Sequence, residues 1–377
     1  MKYVIWILRI VLGLVFIFSG LVKANDPLGL TYKMQEIFEV WELNFMAPYA
    51  FWFSVLMIAF EIIAGFAMLV GNSFRLYITL MLWMNVFYTF LTGYILYSGK
   101  IKECGCFGDC FKISNTATFN KDIALTSINI ILYIFRYRVF PIFNKASVNF
   151  TIVFIAALFS GGFQWWTLNH LPYHDCLPYK VGSNLLEKMK PAPDATDAVY
   201  ESVLTYSKNG VNKDFPADKI PWQDKSWVYV STKTKLIKEA TGQPEIHDFV
   251  LTDFKDGDHT QEILSTKGYT LLWFLRDPEK ANTKYLDRLH NIINKCKAGN
   301  VPFYVLASVG KDICQTYQDV WDMKDVNFLL IDGTVNKTAM RTNPGLMLLH
   351  DGVVEHKWSY LDYPKDIEID NGRIIIK

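Results

Sequence analysis

The chain has 377 residues, room for two or more domains, and a formal net charge of +1 that gives no reason to expect a nucleic acid partner. Hydrophobic residues make up 51% and aromatic residues 15%, yet 20% are charged, so one half reads as apolar and the other as ordinary and water-exposed. Six cysteines are too few for a disulfide-dense scaffold, and it is their uneven placement that informs.

The long apolar runs lie almost wholly in the first 170 residues. Five are long enough, or nearly so, to supply the ~20 residues of a helix that crosses a bilayer: Tyr3–Val22, Phe51–Val70, Leu76–Tyr97, Ile123–Phe140 and Val148–Leu168. The first is too long, and carries Arg9 too deep, for a cleaved leader. The fourth is cut by Arg136 and Arg138, whose side chains would have to snorkel. If the runs alternate in direction, Lys2, Arg75, Arg136, Arg138 and Lys145 share one side, and the positive-inside rule makes it cytoplasmic. Everything after Leu168 then faces the other way. In a bacterial inner membrane that is the periplasm, where disulfides persist.

Two charges fall inside the spans. Arg9 and Glu61 reach similar depth in antiparallel helices, offset by roughly 5 Å at ~1.5 Å per residue. An unpaired charge there is expensive, so a mutual ion pair or a polar cofactor cavity is expected. Gly13, Gly20 and Gly65 would let the helices approach closely. In the first connection, Met34, Ile37, Phe38 and Trp41 follow helical spacing over Tyr32–Trp41, which predicts an amphipathic helix on the membrane surface.

The most informative stretch is Cys104-Gly-Cys-Phe-Gly-Asp-Cys110, three cysteines in a short loop between apolar segments. A Cys-x-Cys disulfide closes a very small ring and is easy to reduce, which suits exchange chemistry better than a permanent staple. A structural clip remains an alternative. A zinc site is disfavoured because a fourth local ligand is lacking, the nearest histidines being His170 and His174 beyond another span. Cys176 follows the last apolar run, close to the membrane exit.

Arg9-x3-Gly13, Ser19-Gly20, Lys23, Glu61-x3-Gly65 and Gly71 together resemble the DoxX family of four-helix membrane proteins. Cys104-Gly-Cys-Phe-Gly is similar to the loop of its MauE branch, a resemblance that covers about residues 1–140 and makes the fifth span an addition. It implies a membrane component of disulfide formation or quinone-linked redox work. Cys110 lies outside the family pattern.

A proline-containing bridge and a small β-rich segment follow. Val199–Tyr206 and Asn212–Phe215 flank the turn signal Lys208-Asn-Gly, Trp227–Val230 alternates as a strand, and Lys233–Ala240 reads as a helix. Beyond Pro244, strands are expected at Asp248–Thr252, Tyr269–Leu275, Pro302–Ala307 and Asn327–Ile331, helices at Lys280–Lys297 and Ile313–Trp321, and a closing hairpin at Gly345–His350 and Val353–Trp358. This order, with Pro344 at the family's cis-proline position, resembles a thioredoxin-like fold over 244–362. The opening Phe249-Val-Leu-Thr-Asp-x-x-x-Gly257 is similar to TlpA-like thioredoxins. It departs at the decisive place: after Phe274 the chain reads Leu-Arg-Asp-Pro, with no Cys-x-x-Cys and hence no nucleophilic thiolate. Cys296 and Cys314 read as core residues or one incidental bridge.

The expected architecture is therefore an α-helical transmembrane bundle over 1–170, a bridge and β-rich segment over 171–243, and a thioredoxin-like α/β domain lacking its cysteine pair over 244–377. The expected function is thiol–disulfide exchange or quinone-linked redox at the periplasmic face of the inner membrane. Cys104 and Cys106 form the exchange pair, and Cys110 or Cys176 is the second cysteine. Partners are the lipid bilayer and periplasmic protein thiols, and a quinone is the cofactor class in view. The rival is a non-enzymatic scaffold that binds a periplasmic protein through the degenerate domain.

Overall fold

The computed structural model describes every residue except 1, 102–104, 106, 107, 109, 112, 223, 239, 240 and 371. Helices α1 (Lys2–Asn25) and α3 (Ala50–Val70) form the heart of the N-terminal bundle. Their glycines permit the contact: a Cβ on Gly65 would lie 2.6 Å from Ile17 Cγ1 and 2.8 Å from the Gly13 carbonyl oxygen. Between them runs α2 (Pro27–Val40), whose N-cap Asp26 accepts a hydrogen bond from the Gly29 N–H. It buries Met34, Ile37 and Phe38, the stripe expected from the sequence, but starts earlier because Asp26 and Pro27 supply the cap and first turn.

The bundle is completed by α4 (Phe74–Ser98), α5 (Asn115–Ile134) and α6 (Ala146–Asn169). Four helices are long and apolar enough to cross a membrane, at Tyr3–Asn25, Asn44–Val70, Phe74–Ser98 and Ala146–Asn169. Helix α5 is more polar, yet it carries the chain from one end of the bundle to the other. Before it, Gly108 approaches Val22 near the end of α1; beyond it, the Ile142 N–H donates to the Val70 carbonyl at the end of α3. Its 20 residues reach ~30 Å. The expected span of 123–140 is displaced because Ser114 caps the helix upstream. Thr118, Asp122 and Asn129 turn inward, so polarity does not mark the helix end. Arg136 and Arg138 follow it in a separate 3-10 turn.

The chain after α6 joins the C-terminal core rather than forming a loose bridge. Tyr179 and Leu185 are buried there, the Gly182 N–H donates to Val354 O at 2.7 Å, and short α7 (Leu185–Lys188) follows. A three-stranded antiparallel sheet comes next, β1 (Val199–Lys208), β2 (Val211–Pro216) and β3 (Val228–Lys238), in the order β2-β1-β3. Asn209 and Gly210, both at positive φ, make the expected turn. The helix expected over Lys233–Ala240 is instead the far half of β3, with Lys233, Thr234 and Lys235 paired to β1. Alternating β-branched residues and a partner strand override local helix propensity.

The rest contains α8 (Thr260–Leu264), β4 (Tyr269–Leu275), α9 (Leu286–Ala298), β5 (Phe303–Ala307), α10 (Lys311–Val320), β6 (Asn327–Leu330), α11 (Gly333–Ala339), β7 (Gly345–His350), β8 (Val353–Ser359), β9 (Ile367–Asp370) and β10 (Arg373–Ile376). Five strands form one sheet in the order β6-β5-β4-β7-β8, with β4, β5 and β6 parallel and β7 and β8 antiparallel. Apolar cores lie on both faces. The Asn343–Pro344 peptide is cis. Asp248–Thr252 is not a strand; Thr252 makes single bridges to Leu330 and Asp258, and Asp248 has a left-handed φ of 57°. Helix α9 starts later than expected because Pro278–Lys280 forms a 3-10 turn capped by Asp277 and Ala281 is then extended. Helix α11, capped by Asp332, was not foreseen. Cys296 and Cys314 are buried and unbridged, and burial pushes their thiols up to about 12 and about 11.

Candidate functional site

The site begins where α1 ends. The cysteine loop lies across α1 and α2: a Cβ on Gly105 would come within 3.3 Å of Lys33 Cγ, and one on Gly108 within 3.5 Å of Val22 Cγ1. Both glycines adopt left-handed φ, +66° and +61°, a conformation that costs other residues energy. Cys104 and Cys106 lie outside the described residues. Cys110 is disulfide-bonded to Cys176, with 4.9 Å between their Cα atoms. The bond ties the loop to the segment that leaves the last membrane helix. It brings together two of the four cysteines assigned to the site.

Polar contacts seat the C-terminal part on this end of the bundle. Asn25 holds His174 twice, through Nδ2 to the carbonyl at 2.8 Å and Oδ1 from the N–H at 2.9 Å. Asp26 Oδ2 accepts from Arg341 Nε at 2.8 Å, and Lys357 Nζ pairs with Asp175 at 2.5 Å. Burial pulls the Lys357 ammonium below its ordinary value, and Asp175 opposes that pull. Arg276, at the end of β4 where an exchange cysteine pair was sought, donates to the Tyr32 hydroxyl of α2. The Arg276 and Asp277 N–H groups are held by Asn343 Oδ1. The end of the central strand is thus applied to α2. Beside it opens a cleft of about 480 Å³ lined by Tyr32, Lys33, Glu36, Leu177, Lys337 and Arg341.

Beneath the loop is a second set of polar groups. The expected Arg9–Glu61 pairing does not occur. Arg9 donates to the carbonyls of Met68 (2.6 Å), Leu69 (2.6 Å) and Phe140 (3.1 Å), and so reaches away from Glu61 to cap the carbonyl end of α3. Glu61 Oε1 instead accepts from Lys23 Nζ and the Tyr88 hydroxyl, each at 2.5 Å. Three further atoms, Glu61 Oε2, Asn85 Nδ2 and Asp122 Oδ2, are buried without a hydrogen-bond partner among the described residues. With Lys23, Tyr88 and Ser19 these residues line a cavity of about 20 Å³. That is room for about one water and far less than an aromatic ring needs. Lys23 also lines the small space directly under Gly105 and Gly108.

Tyr88, Asn85 and Asp122 are functional candidates that sequence reasoning missed, and Lys23, noted only as part of the DoxX-like motif, was not matched to Glu61. Lys23 stands at the end of an apolar run and Asp122 just before one, so both read as boundary residues. The signal for Lys23 and Asp122 was that, with Glu61, they put one charge on each of three helices of the bundle; Tyr88 and Asn85 gave none.

Residues 1–136 match the family described as methylamine utilisation protein MauE, and residues 200–239 match a domain of unknown function. The first match covers α1–α5 with the cysteine loop; the second covers the three-stranded sheet. The chain is also similar to protein TlpB of Flavobacterium psychrophilum, with 28% identity over 143 residues, 36% of this chain and 37% of that one. It thus spans little more than a third of the length of the curated relative it matches. No solved structure matches the chain.

Proposed function

We propose that this multi-pass membrane protein carries out thiol–disulfide exchange at the bilayer face that bears its soluble part. Cys104 and Cys106 are the exchange pair, and the neighbouring Cys110–Cys176 disulfide is the second station of a relay. The observation that carries the reading is that disulfide, which engages the loop's third cysteine, Cys110, and ties the Cys-x-Cys loop to the segment that follows α6. When a partner's disulfide is reduced, the two loop thiols become a disulfide and supply both electrons, so no further oxidant is required.

The C-terminal part is, in this reading, a thioredoxin-like domain that docks and does not exchange. Support comes from its strand order and from Arg276 and Asp277 occupying the place of the missing cysteines. Its two remaining thiols are buried. Residues 170–198 belong with this domain, and β1–β3 form an inserted sheet. The bearing face is the periplasmic one, a reading supported by Arg75, Arg136, Arg138 and Lys145 near the opposite end of the bundle.

The test is Cys106→Ser in the full chain held in a bilayer. The expected result is a mixed disulfide trapped at Cys104, either with a partner or with Cys110 or Cys176. Should Cys104 stay a free, unreactive thiol while Cys110–Cys176 remains intact, the loop is a clip and the protein a scaffold.

A further inference from the structure

Three buried polar atoms without a partner among the described residues belong to side chains that line one cavity. They are Glu61 Oε2 of α3, Asn85 Nδ2 of α4 and Asp122 Oδ2 of α5, and the cavity measures about 20 Å³. The three residues are 1%, 3% and 4% exposed. A buried polar atom left unsatisfied is costly, most of all on a charged group, so an occupant that the chain itself does not supply is called for. Charge and size select it. Each carboxylate already has an ammonium, Lys23 at 2.5 Å from Glu61 and Lys121 at 2.9 Å from Asp122, so the four charges cancel. A metal cation would add an uncompensated positive charge to the membrane-spanning bundle, and so would a proton bound by either carboxylate. A water molecule adds none. It offers two hydrogens to the two carboxylate oxygens and a lone pair to the Asn85 amide. The cavity has room for one, and buried waters typically make about three hydrogen bonds.

We infer that this cavity is a binding site for one structural water, which donates to Glu61 Oε2 and Asp122 Oδ2 and accepts from Asn85 Nδ2. The site lies on a seam of the bundle. Helices α4 and α5 hold each other through Thr89 and Thr126, whose hydroxyls are 2.8 Å apart, and the connection between them contains the cysteine loop. Across the seam, α1 and α3 approach each other through their glycines. The Tyr88 hydroxyl of α4 crosses directly to Glu61 Oε1. The water crosses to Glu61 Oε2 and brings α5 into the same linkage, because Asp122 has no direct bond to Glu61 of its own through that oxygen. It thereby moors the hairpin that carries the loop to the α1–α3 pair.

The test is X-ray hydroxyl-radical footprinting of the full chain in lipid nanodiscs, with oxidised residues read by mass spectrometry. Radicals form from the water itself, so a buried aromatic side chain is marked only where a water adjoins it. Phe16 lines the cavity and is 4% exposed; Phe74, also 4% exposed, does not line it and serves as the dry control. In the wild type, Phe16 should label well above Phe74. Asn85→Leu removes the donor and Asp122→Leu one acceptor, and each fills the space, so each should lower Phe16 to the level of Phe74. A Phe16 as dry as Phe74 in the wild type overturns the inference without recourse to any variant. Label that survives in either variant that folds also overturns it. Replacing sodium by choline in the buffer should leave the melting temperature unchanged; a sodium-dependent rise would assign the cavity to a cation instead. An infrared carbonyl band of a protonated carboxylic acid, lost in Glu61→Gln or Asp122→Asn, would assign it to a proton and refute the water.

Discussion

Asp26 performs two tasks with two oxygens, and a pair of substitutions separates them. Its Oδ1 caps α2 at the Gly29 N–H, 2.9 Å away, while its Oδ2 accepts from Arg341 Nε at 2.8 Å across the junction between bundle and C-terminal part. The side chains are 13% and 7% exposed, so the ion pair is largely desolvated. Removing one partner of such a pair costs about 3–5 kcal/mol, and the lower end applies because Arg341 keeps its bond to the Lys337 carbonyl. Loss of the cap costs about 1 kcal/mol more. Asn still caps a helix, so Asp26→Asn should cost about 3 kcal/mol and Asp26→Ala about 4 kcal/mol. The first figure is about a hundredfold in the population of the opened junction. Amide hydrogen exchange over residues 337–343 reads that population directly when closing is fast. Both variants should accelerate exchange there to a similar extent, and only Asp26→Ala should also loosen residues 26–31. Wild-type exchange at 337–343 in Asp26→Asn would refute the claim that this ion pair holds the junction.

Cys110→Ser and Cys176→Ser should destabilise equally, by at most about 4 kcal/mol for a loop of sequence separation 66, and by less if α5 and α6 persist as membrane helices in the unfolded chain; thermal unfolding in nanodiscs measures it. Burial raises the Cys296 and Cys314 thiols to about 12 and about 11 from an ordinary 9.0, so their contribution is complete below pH 9.0 and is lost as pH climbs through about 11 to 12. Alkylation at pH 8 should therefore miss both until the domain unfolds, and labelling of the folded protein would contradict their burial. Gly65→Ala drives a methyl against Ile17 and the Gly13 backbone and should cost about 1–3 kcal/mol, whereas Gly161→Ala meets nothing within 4 Å and should be near neutral by the same melting measurement.

Patterned apolar residues made the bundle and the central sheet legible. The stripe Met34, Ile37, Phe38 and the run Tyr269–Leu275 each announce an element by period, because burial on one face or both faces dictates them. The first two turns of helix α5 were hidden for the opposite reason: Thr118 and Asp122, ahead of the apolar run that begins at Ile123, are polar residues facing inward, where a hydropathy window sees only an interruption. The far half of β3 reads as a helix until its partner strand is known, since pairing is a non-local fact. The cysteine loop was visible by composition alone. Its bond from Cys110 to Cys176 was one of several pairings and needed the path of α5 and α6 to select it. Glu61 stood out as a buried charge, but its partner depends on rotamer direction. Arg9 can reach the free carbonyls at the end of α3, whereas Lys23, in the last turn of α1, can reach inward to Glu61.

The bond from Cys110 to Cys176 has a mechanical side as well. Together with the intervening chain it closes a covalent hoop that descends through α5, turns at the far surface and climbs back through α6. The buckle of that hoop sits one residue from Asp175, the carboxylate that grips Lys357, and two from His174, which is hooked to Asn25. Opening the buckle removes the one covalent tie, other than the chain itself, between the loop and the segment that carries Asp175 and His174, and leaves noncovalent contacts to hold that segment.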